Sequence, residues 1–197
     1  HPARVELWED ARQLPEGDAA MKHLLLTGEK QVGKSTLLRR LLGELGLAPA
    51  GFETRLWMQD GMRHGFFFHS FLPVDPYYND CPCTLRVAPQ QTVAVLPVFE
   101  QIGVRCLRAA QESDRSVILL DELGKLERDA FGFQREVLAC LDGCRPVLGV
   151  LQKGDYPLSA AIRAREDVLL LAVTPENRDM LFSQALEALK AALIKAQ

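Results

Sequence analysis

The sequence predicts an α/β fold with three layers around a mainly parallel sheet and an antiparallel hairpin at the sheet's edge. Three observations predict it. Short apolar runs of strand length alternate with longer stretches whose apolar residues recur at helical spacing. Val117-Ile-Leu-Leu120 is apolar throughout, as befits a parallel strand buried on both faces. Asp60-Gly61 separates two extended runs, and that dipeptide closes tight hairpins.

The elements follow in order. Residues 1–20 are polar and acidic and precede Met21, so they read as an N-terminal extension or an expression remnant, with one domain over 21–197. Lys22-His-Leu-Leu-Leu-Thr27 is the first strand. Ser35 to Leu45 is an apolar-faced helix, which Gly46 is suited to end. A strand runs from Gly51-Phe52 to the Asp60-Gly61 turn, and Met62 to Phe71 returns as its partner. Pro73 to Cys83, rich in Pro, Tyr and Asp, reads as a loop, and Thr84 to Val95 as an extended apolar segment. Phe99 to Ala110 is helical in pattern, Val117 to Leu120 is a central strand, and Ala130 to Leu141 is a helix. Val147 to Leu151 is a strand, Leu158 to Arg165 a short helix, and Val168 to Val173 a further buried strand. A long amphipathic helix, Asn177 to Lys195, ends the chain, with Thr174 as its expected N-cap and Pro175 at its first position.

Composition excludes several classes. A net charge of −3 gives no electrostatic case for a nucleic-acid partner. No apolar run approaches the ~18 residues of a membrane span, and no signal peptide is visible, so a cytoplasmic protein with no membrane partner is expected. The odd count of five cysteines suits a reducing compartment. Cys81-Pro-Cys83 and Cys140/Cys144 lack the usual zinc spacings, so buried or incidental thiols are expected. His23, His64 and His69 form no metal or triad spacing and read as structural or solvated.

The chemistry is concentrated in two stretches. Gly28-Glu29-Lys30-Gln31-Val32-Gly33-Lys34-Ser35-Thr36 matches the phosphate-binding pattern G-x-x-x-x-G-K-[ST] in full. The glycines let backbone N–H groups turn toward phosphate oxygens. Lys34 reaches the β and γ phosphates, the Ser35 hydroxyl is a Mg²⁺ ligand, and the loop opens a helix whose positive end favours anions. A chance match arises in about one chain of this size in a hundred, and strand before with helix after makes it rarer. The second stretch, Val117-Ile-Leu-Leu-Asp121-Glu122, is a Walker B arrangement. Asp121 would hold Mg²⁺, directly or through water, and Glu122 would orient and polarise an attacking water.

In open α/β sheets, ligands bind beyond the carboxyl ends of the strands. That edge should collect Lys34, Glu122, Lys125, Lys153 and Arg178. Arg178, in or near a first helical turn where a cation opposes the helix dipole, is either an internal arginine finger or an ordinary exposed or salt-bridged arginine. Lys125 and Glu127 either pair with each other or orient the nucleotide. Gln152-Lys153-Gly154-Asp155 is a near miss to the guanine-reading Asn-Lys-x-Asp motif, and the longer Gln arm argues against strict guanine selection.

Asp121-Glu-Leu-Gly-Lys-Leu-Glu127 resembles the D-E-[IL]-G-K-[ML]-E signature of the nucleoside-triphosphatase family that includes the cancer-related nucleoside triphosphatase. Gly51-Phe52-x-Thr54, Gly61-x-Arg63-x-Gly65-Phe66, Ile162-Arg163-x-Arg165-x-Asp167-Val168 and Val173-Thr174-x-Glu176-Asn177-Arg178 are similar to its other motifs, in the same order. The resemblance covers most of residues 21–185 and departs over 72–94. It implies a RecA-like P-loop NTPase fold, Mg²⁺-dependent hydrolysis of ATP, GTP and other nucleoside triphosphates, broad base tolerance, and a nucleotide-contacting stretch around the Walker B strand. Two other readings stand beside hydrolysis. One is a P-loop kinase, with Arg163 and Arg165 as lid arginines and 72–94 holding an acceptor. The other is a nucleotide-dependent binding protein. The sequence names no protein partner.

Overall fold

The computed structural model describes residues 4–6 and 21–197. The reading of 1–20 as an extension therefore lies outside the described residues, apart from one short strand. In chain order the elements are β1 (Arg4–Glu6), β2 (His23–Gly28), α1 (Lys34–Leu45), β3 (Ala50–Gln59), β4 (Met62–Ser70), β5 (Asp80–Pro82), β6 (Thr84–Ala88), β7 (Gln91–Ala94), α2 (Val104–Glu112), β8 (Ile118–Leu123), α3 (Phe131–Asp142), β9 (Val147–Leu151), α4 (Pro157–Arg163), β10 (Val168–Val173) and α5 (Arg178–Lys195). Among the described residues, eight strands form one sheet in the order β1-β10-β2-β9-β8-β3-β4-β5, and β6-β7 forms a separate hairpin. The strands from β1 to β3 pair in parallel, while β4 and β5 add an antiparallel edge.

Side-chain alternation builds the three layers. Leu24 and Leu26 of β2 and Leu119 of β8 face α1 and α5, where Leu38, Leu41, Leu181 and Ala185 cover them. Leu25 and Leu120 face the other way, onto α2, α3 and α4 through Leu107, Val137 and Ile162. On that side Phe52 stacks on Phe68 at 4.7 Å, and Phe133 meets Phe52 and Phe99 edge-on at 5.5 and 5.4 Å. All four rings are essentially inaccessible. Each is worth about 1.5–3 kcal/mol in burial, and Phe52→Ala would cost about 3–5 kcal/mol.

Because β10, β2, β9, β8 and β3 run the same way, their carboxyl ends and following loops meet at one edge. Short connections keep them there. Asp60 and Gly61 take φ of 51° and 72°, the left-handed pair that a two-residue hairpin needs. Gly46, with φ 62°, ends α1 by donating to the carbonyls of Gly43 and Leu42.

Beyond shifts of one to three residues at element ends, four segments differ from the sequence reading. Pro73 to Cys83 contains strand β5, because the Asn79 carbonyl and amide both bind the Ser70 backbone and return the chain to β4. Thr84 to Val95 is extended but folds into the β6-β7 hairpin, with Gln90 at φ 63° in its turn. The helix expected from Phe99 opens with a wider π-type turn, Val98–Gly103, before α2. Thr174 does not cap α5. Its N–H donates to Asn177 Oδ1 at 2.8 Å and its Oγ1 accepts from the Asn177 N–H at 3.2 Å, so the two residues close a turn before the helix. Asn177 becomes the N-cap and Arg178 the first helical residue.

Candidate active site

The loop from Gly28 to Gly33 joins β2 to α1. A side chain at Gly28 would collide with the Val173 carbonyl of β10, so only glycine lets β2 lie this close to its neighbour at φ 143°. Val32 is buried in the α1/α5 core, while Glu29, Lys30 and Gln31 are exposed. The loop is thus anchored by one apolar side chain and offers its backbone to a ligand. No side chain caps α1, so its first N–H groups and its positive end remain available to an anion. Lys34 Nζ donates to the carbonyls of Gly28 at 2.8 Å and Glu29 at 3.1 Å. Burial pulls its pKa below the ordinary value, while the charges of Glu122, Asp121 and Glu29 work to raise it.

Asp121 ends the apolar run of β8 and is 6% exposed. Its pKa is pushed up to about 6, first by burial; hydrogen bonding with Ser35 opposes the rise, and the charges of Glu122 and Glu53 add to it. Glu53 lies on β3 in register with Asp121 and is also buried. Its Oε1 accepts from Arg55 Nε at 2.6 Å. Glu122 is raised by burial, against the pull of Lys34, a hydrogen bond from Gln152, and Lys30.

The donor set fits a hard divalent cation. Ser35 and Asp121 supply oxygen ligands of the right kind, and a carboxylate pressed by two others gains from any cation placed there. Among the described residues no group of three or more His, Cys, Asp or Glu is arranged as a metal cage. Mg²⁺ is usually held by one or two carboxylates together with substrate phosphates. Cys81 and Cys83 are free thiols, and burial pushes Cys83 up to about 12.

The structure brings all five residues expected at this edge to it. Lys34 and Glu122 face each other. Lys125 follows β8, and its N–H donates to Gln152 Oε1 at 2.7 Å. Lys153 follows β9 and pairs with Glu29 of the phosphate loop at 2.8 Å. Arg178 reaches back from α5, its Nη1 3.6 Å from where a Gly33 Cβ would stand. Thr36 is exposed on the first turn of α1.

Two readings are corrected. Lys125 and Glu127 do not pair: Glu127 is 1% exposed and accepts a hydrogen bond from the Gly124 N–H, whereas Lys125 is exposed. Burial raises Glu127 to about 7. Arg165 is no lid residue. It sits at the opposite edge, bound to both Asp167 oxygens at 2.9 Å and to Asp142 at 2.8 Å; Arg163 closes α4 beside it. Gln152 binds Glu122 and Lys125, and Lys153 binds Glu29.

Sequence reasoning missed Glu53, since the register that sets it beside Asp121 is tertiary. It noticed Gln152 only as a defective base reader.

The family model described as NTPase matches residues 23–186. Nucleoside-triphosphatase THEP1 of Thermotoga sp. (strain RQ2) is 34% identical over 173 residues, covering 85% of this chain and 95% of that protein. The cancer-related nucleoside-triphosphatase homolog of Bos taurus is 31% identical over 186 residues, covering 83% and 94%. The crystal structure of THEP1 from Aquifex aeolicus aligns with a TM-score of 0.65 at 27% identity, over 85% of this chain and 99% of that one. The solution structure of a human cancer-related nucleoside triphosphatase gives 0.66 at 26% identity, over 86% and 98%. The three-layer, RecA-like P-loop architecture expected from the sequence is the one these structures share. With the family model and these relatives in agreement, the chain belongs to the NTPase family of nucleoside-triphosphate hydrolases.

Proposed function

We propose that this protein hydrolyses Mg²⁺-bound nucleoside triphosphates to diphosphate and phosphate, with broad base tolerance and slow turnover, in the cytoplasm. The observation that carries the reading is the meeting of Lys34, Asp121 and Glu122 at one sheet edge. Lys34 exchanges the Gly28 and Glu29 carbonyls for β- and γ-phosphate oxygens, and the backbone N–H groups of Gly28 to Thr36 cradle the rest. Ser35 and Asp121 would hold Mg²⁺, which neutralises charge on the phosphates when bound. Glu122 accepts a proton from water as the water oxygen attacks the γ-phosphorus. The bond from that phosphorus to the β–γ bridging oxygen breaks, and the proton returns to the departing phosphate. Arg178, beside Gly33, would add charge stabilisation at the γ-phosphate.

Phosphate contacts are common to every nucleotide, and the remaining contacts to a base are each worth about 1–3 kcal/mol, so preferences should stay within about a hundredfold. Slow turnover is expected in either case, since P-loop hydrolysis runs at about 10⁻⁴ s⁻¹ without an arginine finger and at about 10⁻² s⁻¹ with one supplied in cis, the place proposed for Arg178. Phosphate release from ATP, GTP, CTP and UTP, in Mg²⁺ and in EDTA, tests the reading. Hydrolysis of all four only with the metal supports it. A preference of about a thousandfold for GTP, or efficient transfer to an added acceptor with little free phosphate, overturns it.

A further inference from the structure

We infer that Gln152 is a positioning residue for hydrolysis: its side-chain amide fixes the orientation of the Glu122 carboxylate toward the attacking water. The inference rests on Glu122 being the base. Gln152 is the first residue after β9, and its N–H donates to the Leu123 carbonyl at 2.8 Å, which holds its backbone against the end of β8. From there its Nε2 donates to Glu122 Oε1 at 2.6 Å, and its Oε1 accepts the Lys125 N–H at 2.7 Å. Those two bonds admit one orientation of the amide. Flipped, it would set a donor against the Lys125 N–H and an acceptor against a carboxylate.

The surrounding loop is shaped to this side chain. Any Cβ at Gly124 would collide with Gln152, so glycine leaves the space that the amide fills. The Gly124 N–H is held by buried Glu127. The backbone after Glu127 is held in turn by Gln134, whose Nε2 donates to the Glu127 and Arg128 carbonyls at 2.7 and 2.9 Å. Gln152 therefore takes its own orientation from a fixed turn and passes it to one oxygen of Glu122, leaving the other oxygen for water. A base held within a fraction of an ångström of the attacking geometry matters, because a misplacement of about 1 Å costs about a hundredfold in rate.

The test is a double-mutant cycle read by single-turnover hydrolysis and by triphosphate affinity. Gln152→Met keeps the shape and removes both hydrogen bonds. It should slow the chemical step by about 10- to 100-fold while the Kd for a non-hydrolysable triphosphate with Mg²⁺ stays within about twofold. In the Glu122→Gln background the same change should have almost no further effect, since the group being oriented is gone. Additive losses in the cycle, or a folded Gln152→Met protein with wild-type chemistry, overturn the inference. Gln152→Glu still accepts the Lys125 N–H but sets a second carboxyl against Glu122; the two would share a proton, so Glu122 is lost as a free base and the chemical step should slow. Wild-type rate in that variant would assign Gln152 to the loop alone. A wild-type rate in Glu122→Gln removes the base itself and the inference with it, an outcome distinct from slow Glu122→Gln with an additive cycle.

Discussion

At the amino edge of the sheet, Arg165 binds both oxygens of Asp167, one oxygen of Asp142 and the Leu141 carbonyl. Buried His23 completes the cluster: its Nε2 donates to the Leu141 carbonyl at 2.8 Å and its Nδ1 accepts from the Val147 N–H at 3.0 Å. At the carboxyl edge, Asp121 and Glu53 lie buried on neighbouring strands with Glu122 beside them, and Lys34 hydrogen-bonds loop carbonyls. The consequence shows in the acids. Burial would push Asp167 up, but Arg165 outweighs it and holds Asp167 below its ordinary value, whereas burial carries Asp121 up to about 6. One edge satisfies its charges internally and so fastens the fold. The other presses Glu122 and Glu53 against Asp121, and the free protein gives up stability there as Asp121 ionises.

The largest effects should come from the carboxyl edge and should leave the fold intact. Lys34→Ala removes the ammonium aimed at the β and γ phosphates, so turnover should fall by about 10³-fold or more and triphosphate affinity should drop. The melting temperature should hold, because Lys34 is bonded only to loop carbonyls. Wild-type hydrolysis by the folded variant would remove Lys34 from the site. Glu122→Gln retains size and the contact to Gln152 but loses the basic oxygen. It should bind triphosphate with Mg²⁺ normally and hydrolyse it about 10²-fold more slowly. Normal single-turnover chemistry in that protein would end the role assigned to Glu122.

The amino edge should respond the other way round. Arg165→Met leaves Asp142 without its cation and Asp167 with the more distant Lys22 at 3.7 Å, and should cost about 3 kcal/mol, lowering the melting temperature by about 6–12 °C. kcat and KM, measured below the transition, should remain those of the wild type. A change in kcat with little change in stability would return Arg165 to a part in catalysis and break the contrast between the edges.

How far each edge could be read from the sequence follows from what fixes it. β2, β8, β9 and β10 are buried on both faces, so their apolar runs announced them, within a residue for β2, β9 and β10, whereas β8 runs three residues past its apolar run to Leu123. The phosphate loop and Asp121-Glu122 were legible because spacing along the chain sets their geometry. Glu53 was not, because only the β3–β8 register places it beside Asp121. Gln152 was visible as a residue but not as a contact, since its partners lie 30 and 27 positions away. The β6-β7 hairpin was hidden for a local reason. Its strands are short and half exposed, and its turn carries Gln90 at positive φ where a glycine or asparagine would have flagged it. The start of α5 was misplaced because Thr174-Pro175 is a sound capping pair in isolation, and the Thr174–Asn177 bonds override it.

The smallest predicted effect sharpens the contrast most, because the two edges should depend on pH with opposite signs. A group whose pKa is raised on folding stabilises the fold fully below its unfolded value and loses that contribution as pH rises through its folded value. Asp121 is such a group, ordinary at 3.8 and pushed up to about 6, and Glu127, raised to about 7, extends the same trend. A group whose pKa is lowered on folding contributes above its unfolded value and loses the contribution as pH falls. His23, pulled below 6.5 first by burial, and Asp167 are of this kind. In EDTA without nucleotide, the carboxyl edge therefore weakens the protein as pH climbs from about 4 to about 7, while the amino edge weakens it as pH falls. Asp121→Asn deletes one titration from the first set. It should match the wild type near pH 4 and be more stable by about 2 kcal/mol at pH 8, a rise of about 4–8 °C. Mg²⁺ with a triphosphate should reverse the order at pH 8, since the wild type alone keeps the carboxylate that the cation uses. Equal stabilisation by Asp121→Asn at pH 4 and pH 8 would mean that the charge on Asp121 is already satisfied within the fold, and the difference between the two edges would vanish.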